Sequence, residues 1–411
     1  MDFKPDENNV HSADISYLNK ILNQKLNLLN EGVVEVRKQQ KDPNSPLYSI
    51  RTFKDLRLKP QLIEALYLMG FHQPSKIQEA ALPVLLCEPP QDIIAQSQSG
   101  TGKTATFLLV MLNRVDPEKK YPQCVCLAPT MELARQIGEV AKRMAQKMEG
   151  VKIRYAVKGE RVERNAVFTE QILIGTPGKM IDWMLKFRLI DASKIICFVL
   201  DEADIMISQE GHQENSIKIH NEIITSSPDC QCMLFSATYS DQVFKFAEKL
   251  IADPVIITIR RQDQSLPYIR QYYVKCPDRE SKYKAILALY QSLTVASSII
   301  FSVEEIVACC MAIFRKHNVL ITTNLSARGL DMPQVSLVVN YDPPVTFEQC
   351  PQPDYDTYLH RIGRTGRFGK PGIAINLVDS DIVMSFVAKF RDHFGRPIDL
   401  LDAMTTINWR R

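Results

Sequence analysis

Nowhere in the 411 residues is there an apolar run approaching the roughly 18 that a membrane-crossing helix needs, so no insertion into a bilayer is expected. The amino terminus, MDFKPDENNVHSAD, is polar and acidic where a secretory signal would be basic and then apolar. None of the ten cysteines is spaced C-x-x-C; the close pairs are Cys124-x-Cys126, Cys230-x-Cys232 and adjacent Cys309-Cys310. That excludes the usual zinc frameworks and leaves reduced, buried thiols of a cytosolic or nuclear protein as the expectation. The net charge is only +3. Any binding of a polyanion must therefore come from a local basic surface, because the field of the whole molecule is weak. No short internal repeat and no low-complexity tract interrupts the chain.

What is present is an ordinary globular composition, 45% apolar and 24% charged, on a chain long enough for two domains and a tail. Residues 1–52 are polar apart from Ile15 to Leu29, whose apolar residues recur at spacings of three and four as on one helix face. The run Asp42-Pro43-Asn44-Ser45-Pro46 then breaks any helix. From Phe53, short β-branched runs (DIIAQS, CVCLAP, QILIGTP, CFVLDEAD, CMLFSAT, VIITI) alternate with helical segments. Strands alternating with helices predict a parallel sheet covered on both faces. A polar stretch from Arg260 to Pro267 reads as a linker, and IRQYYV, SSIIF, NVLITTN, LVVNYD and GIAINLV follow as strands of a second α/β unit. The fold class expected is α/β, two tandem parallel-sheet domains over 53–260 and 261–411 behind an extension over 1–52.

The strongest local signal is Ser97-Gln98-Ser99-Gly100-Thr101-Gly102-Lys103-Thr104, after the strand DIIAQ and before the apolar run ATFLLVML. Gly100 and Gly102 let backbone N–H groups turn toward phosphates, Lys103 offers charge to the β/γ-phosphates, and Thr104 offers a hydroxyl to Mg²⁺. Ser97 stands where the general pattern has glycine, yet the strand–loop–helix context fits. Asp201-Glu202-Ala203-Asp204 follows the strand CFVL. Asp201 is placed to hold the metal through water, and Glu202 to orient or deprotonate an attacking water. These two elements alone define a P-loop ATPase.

Further motifs follow in order: Gly70-Phe71 through Gln78, Pro129-Thr130 through Ala134, Thr176-Pro177-Gly178-Lys179, Ser236-Ala237-Thr238, Thr323, Ala327 through Asp331, and His360 through Arg367. In this order they resemble the motif series of DEAD-box RNA helicases, from about Phe53 to the C-terminus. The resemblance implies tandem RecA-like domains that clamp single-stranded RNA with ATP and Mg²⁺ between them. It implies that Gln78 pairs with adenine, that Asp331 meets the ribose or its 3′-OH, and that Arg364 and Arg367 act as arginine fingers on the γ-phosphate. Pro129, Thr130, Thr176, Pro177 and Gly178 would hold the RNA backbone in domain one, and Thr323 in domain two. Ser236, Thr238, Arg328 and His360 would couple the two sites across the domains. Phe53 is open between stacking on adenine and lying in the core.

DPNSPLYSIRTFKDLRLKPQLIEALYLMGF, DEADIMISQEGHQ and TYLHRIGRTGRFGKPG further resemble the nuclear mRNA-export subgroup of that family, including its testis-type relative. This implies a monomer of cytoplasm and nucleus, at the cytoplasmic face of the nuclear pore. Its implied partners are mRNA, a pore nucleoporin, and an activator that works with inositol hexakisphosphate. Ile15 to Leu29 is placed to resemble the subgroup's regulatory helix and equally fits a solvated tail helix. Two departures stand out. Met131 replaces a common arginine, and Ile306 stands where the family carries an arginine toward RNA. After Phe301 there is also room for only one helix before the strand NVLITTN, where the family has helix, strand and helix. Two functions follow as expectations: an RNA-dependent ATPase that remodels RNA or RNA–protein complexes, or a weakened RNA- or nucleoporin-binding variant whose second domain cannot close.

Overall fold

The structure, a computed structural model, describes residues 34–36, 52–96, 102–163, 166–208, 211–238, 241–259, 269–292, 297–302, 318–323, 335–346, 350–366 and 371–401. The segment Ile15 to Leu29, the linker Arg260 to Pro267 and the helix predicted after Phe301, with Cys309 and Cys310, lie outside those residues.

The β-branched runs form strands, and along the middle of the first sheet every residue is buried whichever face it points to, which forces a covered parallel sheet. In the first domain these are β1 (Val34–Val36), β2 (Ile93–Gln96), β3 (Cys124–Leu127), β4 (Ile153–Ala156), β5 (Ile172–Gly175), β6 (Cys197–Leu200), β7 (Gln231–Ser236) and β8 (Val255–Ile259). They lie in the order β1-β8-β2-β7-β6-β3-β5-β4. All pairs are parallel except β1, which runs antiparallel along β8. The helices are α1 (Pro60–Leu68), α2 (Lys76–Leu85), α3 (Lys103–Arg114), α4 (Met131–Met144), α5 (Pro177–Ile181), α6 (Ala203–Ser208), α7 (His212–Ser226) and α8 (Asp241–Leu250). Alternate residues of one strand enter different cores. Cys124 and Cys126 join the cluster with Phe107 and Phe235, whose rings lie 5.4 Å apart, while Val125 and Leu127 join the one with Phe168 and Trp183.

The second sheet holds β9 (Ile269–Lys275), β10 (Ser297–Phe301), β11 (Asn318–Thr322), β12 (Val335–Asn340), β13 (Gly372–Val378) and β14 (Ile398–Leu400), in the order β11-β10-β12-β13-β9-β14 and all parallel. β11 is its edge strand among the described residues, paired in register with β10 from Ser297↔Asn318 to Phe301↔Thr322. The helices α9 (Arg279–Ser292), α10 (Tyr355–Ile362) and α11 (Asp381–Phe394) complete the described part.

α10 matters most for function, and a buried polar chain fixes it to the sheet. Tyr358 stacks on Phe390 at 4.1 Å and its hydroxyl donates to Gln271 Oε1 at 2.7 Å. That same hydroxyl accepts from Asn376 Nδ2 at 3.2 Å, and Asn376 Oδ1 accepts from Asn340 at 2.9 Å. Arg361 donates to Asn340 Oδ1 at 3.1 Å and to the Asp342 carbonyl at 2.6 Å. Buried polar groups satisfied in this way specify one position for a helix, because any shift leaves several of them unpaired at once.

The eight described cysteines are free thiols, six of them buried. Among the described residues no helix is long and apolar enough to cross a membrane.

Candidate active site at the carboxyl ends of the first sheet

In open parallel sheets, ligand groups gather beyond the carboxyl ends of the strands, and here β2, β6 and β7 deliver three of them side by side. β2 leads through the Gly-rich segment into α3. Gly102 caps that helix with φ +104, a left-handed backbone natural to glycine. A Cβ there would also come within 2.9 Å of Gln78 Nε2. Lys103 opens the helix with its side chain buried and its Nζ 3.2 Å from Glu202 Oε1. Burial alone would lower the ammonium's pKa, but the charges of Glu202, Asp201 and Asp204 outweigh it and hold the group above its ordinary value.

β6 ends at Asp201, and the next residue turns sharply. Glu202 takes φ +51, a conformation that costs a residue with a side chain about 1 kcal/mol and that gathers at functional sites. Its N–H donates to Asp201 Oδ1 at 3.0 Å. Asp201 is pushed up to about 7, first by burial and then by the Glu202 charge beside it. Glu202 Oε2 is buried with no hydrogen-bond partner. A carboxyl driven so high, next to an unpartnered carboxylate oxygen, suits a cation that would return Asp201 to its charged form. Half-buried Thr104 stands one residue beyond Lys103 on the same helix.

β7 ends at Ser236, whose Oγ accepts from the Asp204 N–H at 3.3 Å. Thr238 Oγ1 donates to Asp204 Oδ2 at 3.0 Å. The same oxygen lies 2.6 Å from His360 Nε2, carried on α10 of the second domain. Asp204 thus joins β7 to α10 through one carboxylate. Donor atoms of Glu202, Asp204 and His360 all lie within 4.8 Å of one another. The Lys103 ammonium already supplies a positive charge there. Arg364 follows α10 by less than a turn, buried, with Nε donating to the His360 carbonyl at 3.2 Å.

The structure brings Lys103, Thr104, Asp201, Glu202, Ser236, Thr238, His360 and Arg364 to one region. Gln78 is close as well. Its Oε1 accepts from Ser75 N at 2.9 Å and its Nε2 donates to the Gly102 carbonyl at 3.3 Å, which leaves one amide hydrogen for another acceptor. Phe53 is different. Its ring is fully buried among the core residues of the first domain, with no face open to a base, and its placement supports the core reading over adenine stacking. Ser97, Gln98, Ser99, Gly100, Thr101, Arg328, Asp331 and Arg367 lie outside the described residues.

A second cluster sits over neighbouring strands β3 and β5. Pro129 and Thr130 precede α4, and Thr176 precedes Pro177 and Gly178 of α5. Thr130 caps α4, its hydroxyl accepting from Leu133 N at 3.2 Å, so its O–H proton remains free to donate to a phosphate. Gly178 is exposed and Thr176 half-buried. Thr323 is exposed just past the end of β11. Asp204 was missed among the candidates taken from sequence, although it closes the acidic run after β6, the very signal that had marked Asp201 and Glu202.

A two-domain chain with a P-loop, an acidic strand end and a histidine reaching across from the second sheet is an ATPase of the helicase class. The "DEAD/DEAH box helicase" family model matches residues 75–246 and the "Helicase conserved C-terminal domain" model residues 304–369. The human ATP-dependent RNA helicases DDX19A and DDX25 are 48% and 47% identical to the chain. Those two matches cover 94% and 97% of it, and 85% and 86% of the relatives. The chain belongs to the DEAD-box ATP-dependent RNA helicases. Among solved structures, S. cerevisiae Dbp5 bound to RNA and ADP BeF3 is 37% identical with a TM-score of 0.79, over 86% of this chain and 96% of that one. A single-residue variant of S. cerevisiae Dbp5, bound to Nup159, a Gle1 variant, IP6 and ADP, is also 37% identical and matches with a TM-score of 0.62, over 84% and 95%. The DDX19A alignment runs to 416 positions while taking up 94% of the 411 residues here, so about 30 of its positions have no residue in this chain.

Proposed function

We propose that the chain clamps single-stranded RNA between its two domains when ATP is bound, and that closure remodels RNA duplexes or RNA–protein complexes during export of mRNA from the nucleus. The observation that carries this is the Asp204 junction. Thr238, at the end of a strand of the ATP-binding sheet, and His360, from the other domain, converge on one carboxylate oxygen. A group shared in this way makes the ATP site sensitive to domain position, because opening removes His360 from a buried anion.

In the mechanism, Lys103 and the α3 N-terminus hold the nucleotide phosphates. Asp201 and Thr104 would hold Mg²⁺, which supplies charge to the phosphates when bound. Glu202 orients or takes a proton from the attacking water. Closure brings Arg364, with Arg367, toward the γ-phosphate, where charge develops in the transition state. Gln78, beside Gly102, selects adenine, and Asp331 meets the ribose. Thr130, Thr176 and Gly178 with Pro129 and Pro177 line the RNA backbone path in domain one. Such contacts bind without reading bases. Thr323 continues that path on domain two. Ser236 and Arg328 support the coupling. Hydrolysis and phosphate release reopen the clamp.

The neighbouring Dbp5 structures with Nup159, Gle1 and IP6 support a pore nucleoporin, an inositol-phosphate-dependent activator and a place at the nuclear pore for this chain too. The weakened-binding alternative keeps one specific support: a second domain over 261–411 shortened after Phe301, consistent with the alignment positions that have no counterpart here.

A fluorescein-labelled single-stranded RNA titrated with the chain tests the clamp. With Mg²⁺ and a non-hydrolysable ATP analogue, RNA affinity should rise at least about fivefold over that without nucleotide, as a closure coupled by about 1–3 kcal/mol requires. Equal affinity in both conditions contradicts the clamp and favours the binding-protein alternative.

A further inference from the structure

The two sheets share one strand order, with a gap. Taken in chain order, β2 to β8 of the first sheet match β9 to β14 of the second, except that β4, which flanks β5, has no counterpart beside β11 among the described residues. β11 pairs with β10, and its Val319, Leu320 and Ile321 are only half-buried. Whatever fixes the carboxyl end of this edge therefore matters to a ligand that meets Thr323.

A polar joint fixes it. Buried Ser302, just past β10, donates its N–H to the Thr322 carbonyl at 3.2 Å and its Oγ to Asp342 Oδ2 at 3.1 Å. Asp342 follows the end of β12, and its Oδ1 lies 3.3 Å from Lys282 Nζ. Lys282, on α9, is buried, and its ammonium also reaches Asp379 Oδ2 at 2.7 Å and the Tyr341 carbonyl at 3.0 Å. All three ammonium donors are thus committed, and they hold the Asp342 carboxylate with Oδ2 turned to Ser302. The Asp342 carbonyl accepts from Arg361 of α10 at 2.6 Å, and the Arg361 guanidinium lies over the Phe301 ring at 4.9 Å. Arg361 stands directly after His360 and one helical turn before Arg364. One residue therefore holds two things: its side chain the ends of β10 and β11, its backbone the helix that reaches Asp204. A shift of one against the other would leave buried polar groups unpaired.

We propose that Asp342 is a positioning residue of the clamp, holding the ends of β10 and β11 in register with the helix that carries His360 and Arg364, so that RNA on domain two favours the closed ATP site. The proposal rests on the clamp reading, in which Thr323 meets RNA, and names what transmits that contact inside domain two. With the joint intact, RNA held at Thr323 and α10 held at Asp204 belong to one rigid body, so each contact favours the other. With the joint broken, the edge pair shifts while α10 stays on its polar chain through Tyr358, and the two contacts are no longer made together.

The test measures coupling in the full chain, in Ser302→Ala and in Asp342→Ala. Each variant removes the Ser302–Asp342 bond, yet Lys282 keeps Asp379 and the Tyr341 carbonyl, and Arg361 keeps the backbone carbonyl at position 342. Affinity for labelled single-stranded RNA is read in Mg²⁺ with and without a non-hydrolysable ATP analogue, and affinity for the analogue with and without RNA. In both variants the gain in RNA affinity brought by the analogue should fall by at least about twofold, the lower bound for substitutions along coupled networks. The gain in analogue affinity brought by RNA should fall by the same factor, as linkage requires. RNA affinity without analogue, and analogue affinity without RNA, should match the parent's. A cooperative thermal transition shows which variants are folded, and if one is not, the other decides. Weakened basal affinities with coupling kept show a merely structural role and overturn the proposal. Unchanged coupling beside a coupled parent also overturns it and leaves the clamp standing, whereas a parent without coupling overturns both.

Discussion

Glu202→Gln lowers RNA-stimulated turnover by about a hundredfold to ten-thousandfold, the range lost with a general base, and leaves ATP and RNA binding in place. The geometry separates these effects. Gln keeps a carbonyl oxygen for Lys103 Nζ, now 3.2 Å from Oε1, and the same length of side chain on a backbone already held at φ +51. What it loses is the buried Oε2 that has no hydrogen-bond partner, the atom free to take a proton or align a water. Asp201 also loses the adjacent charge that helps drive it up to about 7, so the variant should hold its metal ligand more readily in the anionic form. The variant should therefore accumulate as a long-lived complex with ATP and RNA. Single-turnover hydrolysis together with the dissociation rate of labelled RNA measures this. Normal turnover in the variant removes Glu202 from the proposed role.

Arg364→Ala should lower turnover by about a thousandfold or more, the scale set by an arginine finger, while nucleotide affinity changes little. Arg364 is buried in the turn after α10 and is tied to the His360 carbonyl at 3.2 Å. In the proposed clamp it would move with the helix that carries His360 to Asp204, so its charge would reach the phosphates only when the domains are together. That makes its contribution specific to the transition state rather than to ground-state binding. The measurement is kcat and KM for ATP at saturating RNA beside a direct nucleotide-binding titration. A fall confined to KM would show that Arg364 merely binds ATP. Unfolding is a separate outcome, read from the thermal transition, because the polar chain through Tyr358, Asn376 and Asn340 that holds α10 does not pass through this side chain.

Much of this arrangement is legible in the chain before any coordinates. A short β-branched run ending in a Gly-rich stretch can hardly be other than a strand feeding a phosphate-binding helix, and Lys103 and Gly102 stand there. CFVL ending in Asp201 and Glu202 is equally direct, because the strand's end fixes where the acids emerge. Both are local features, set by residues within a few positions of one another. The unreadable part is what depends on packing between distant segments. Asp204 and His360 are separated by 156 residues, so spacing does not report that they meet; only the family resemblance assigns His360 to coupling across the domains. Phe53 illustrates the reverse limit. An isolated aromatic ahead of the ATP-binding motifs fits both a base platform and a core residue, and its full burial, which sequence does not give, favours the core.

Whether the second domain closes on the first despite the short connection after Phe301 is read from steady-state ATP hydrolysis by the purified full chain with and without single-stranded RNA. A closing clamp gives weak turnover alone and at least about tenfold stimulation by saturating RNA, since its domain-two arginine would reach the phosphates only in the clamped state. Turnover that stays negligible with RNA, while ATP still binds the first domain, would contradict it.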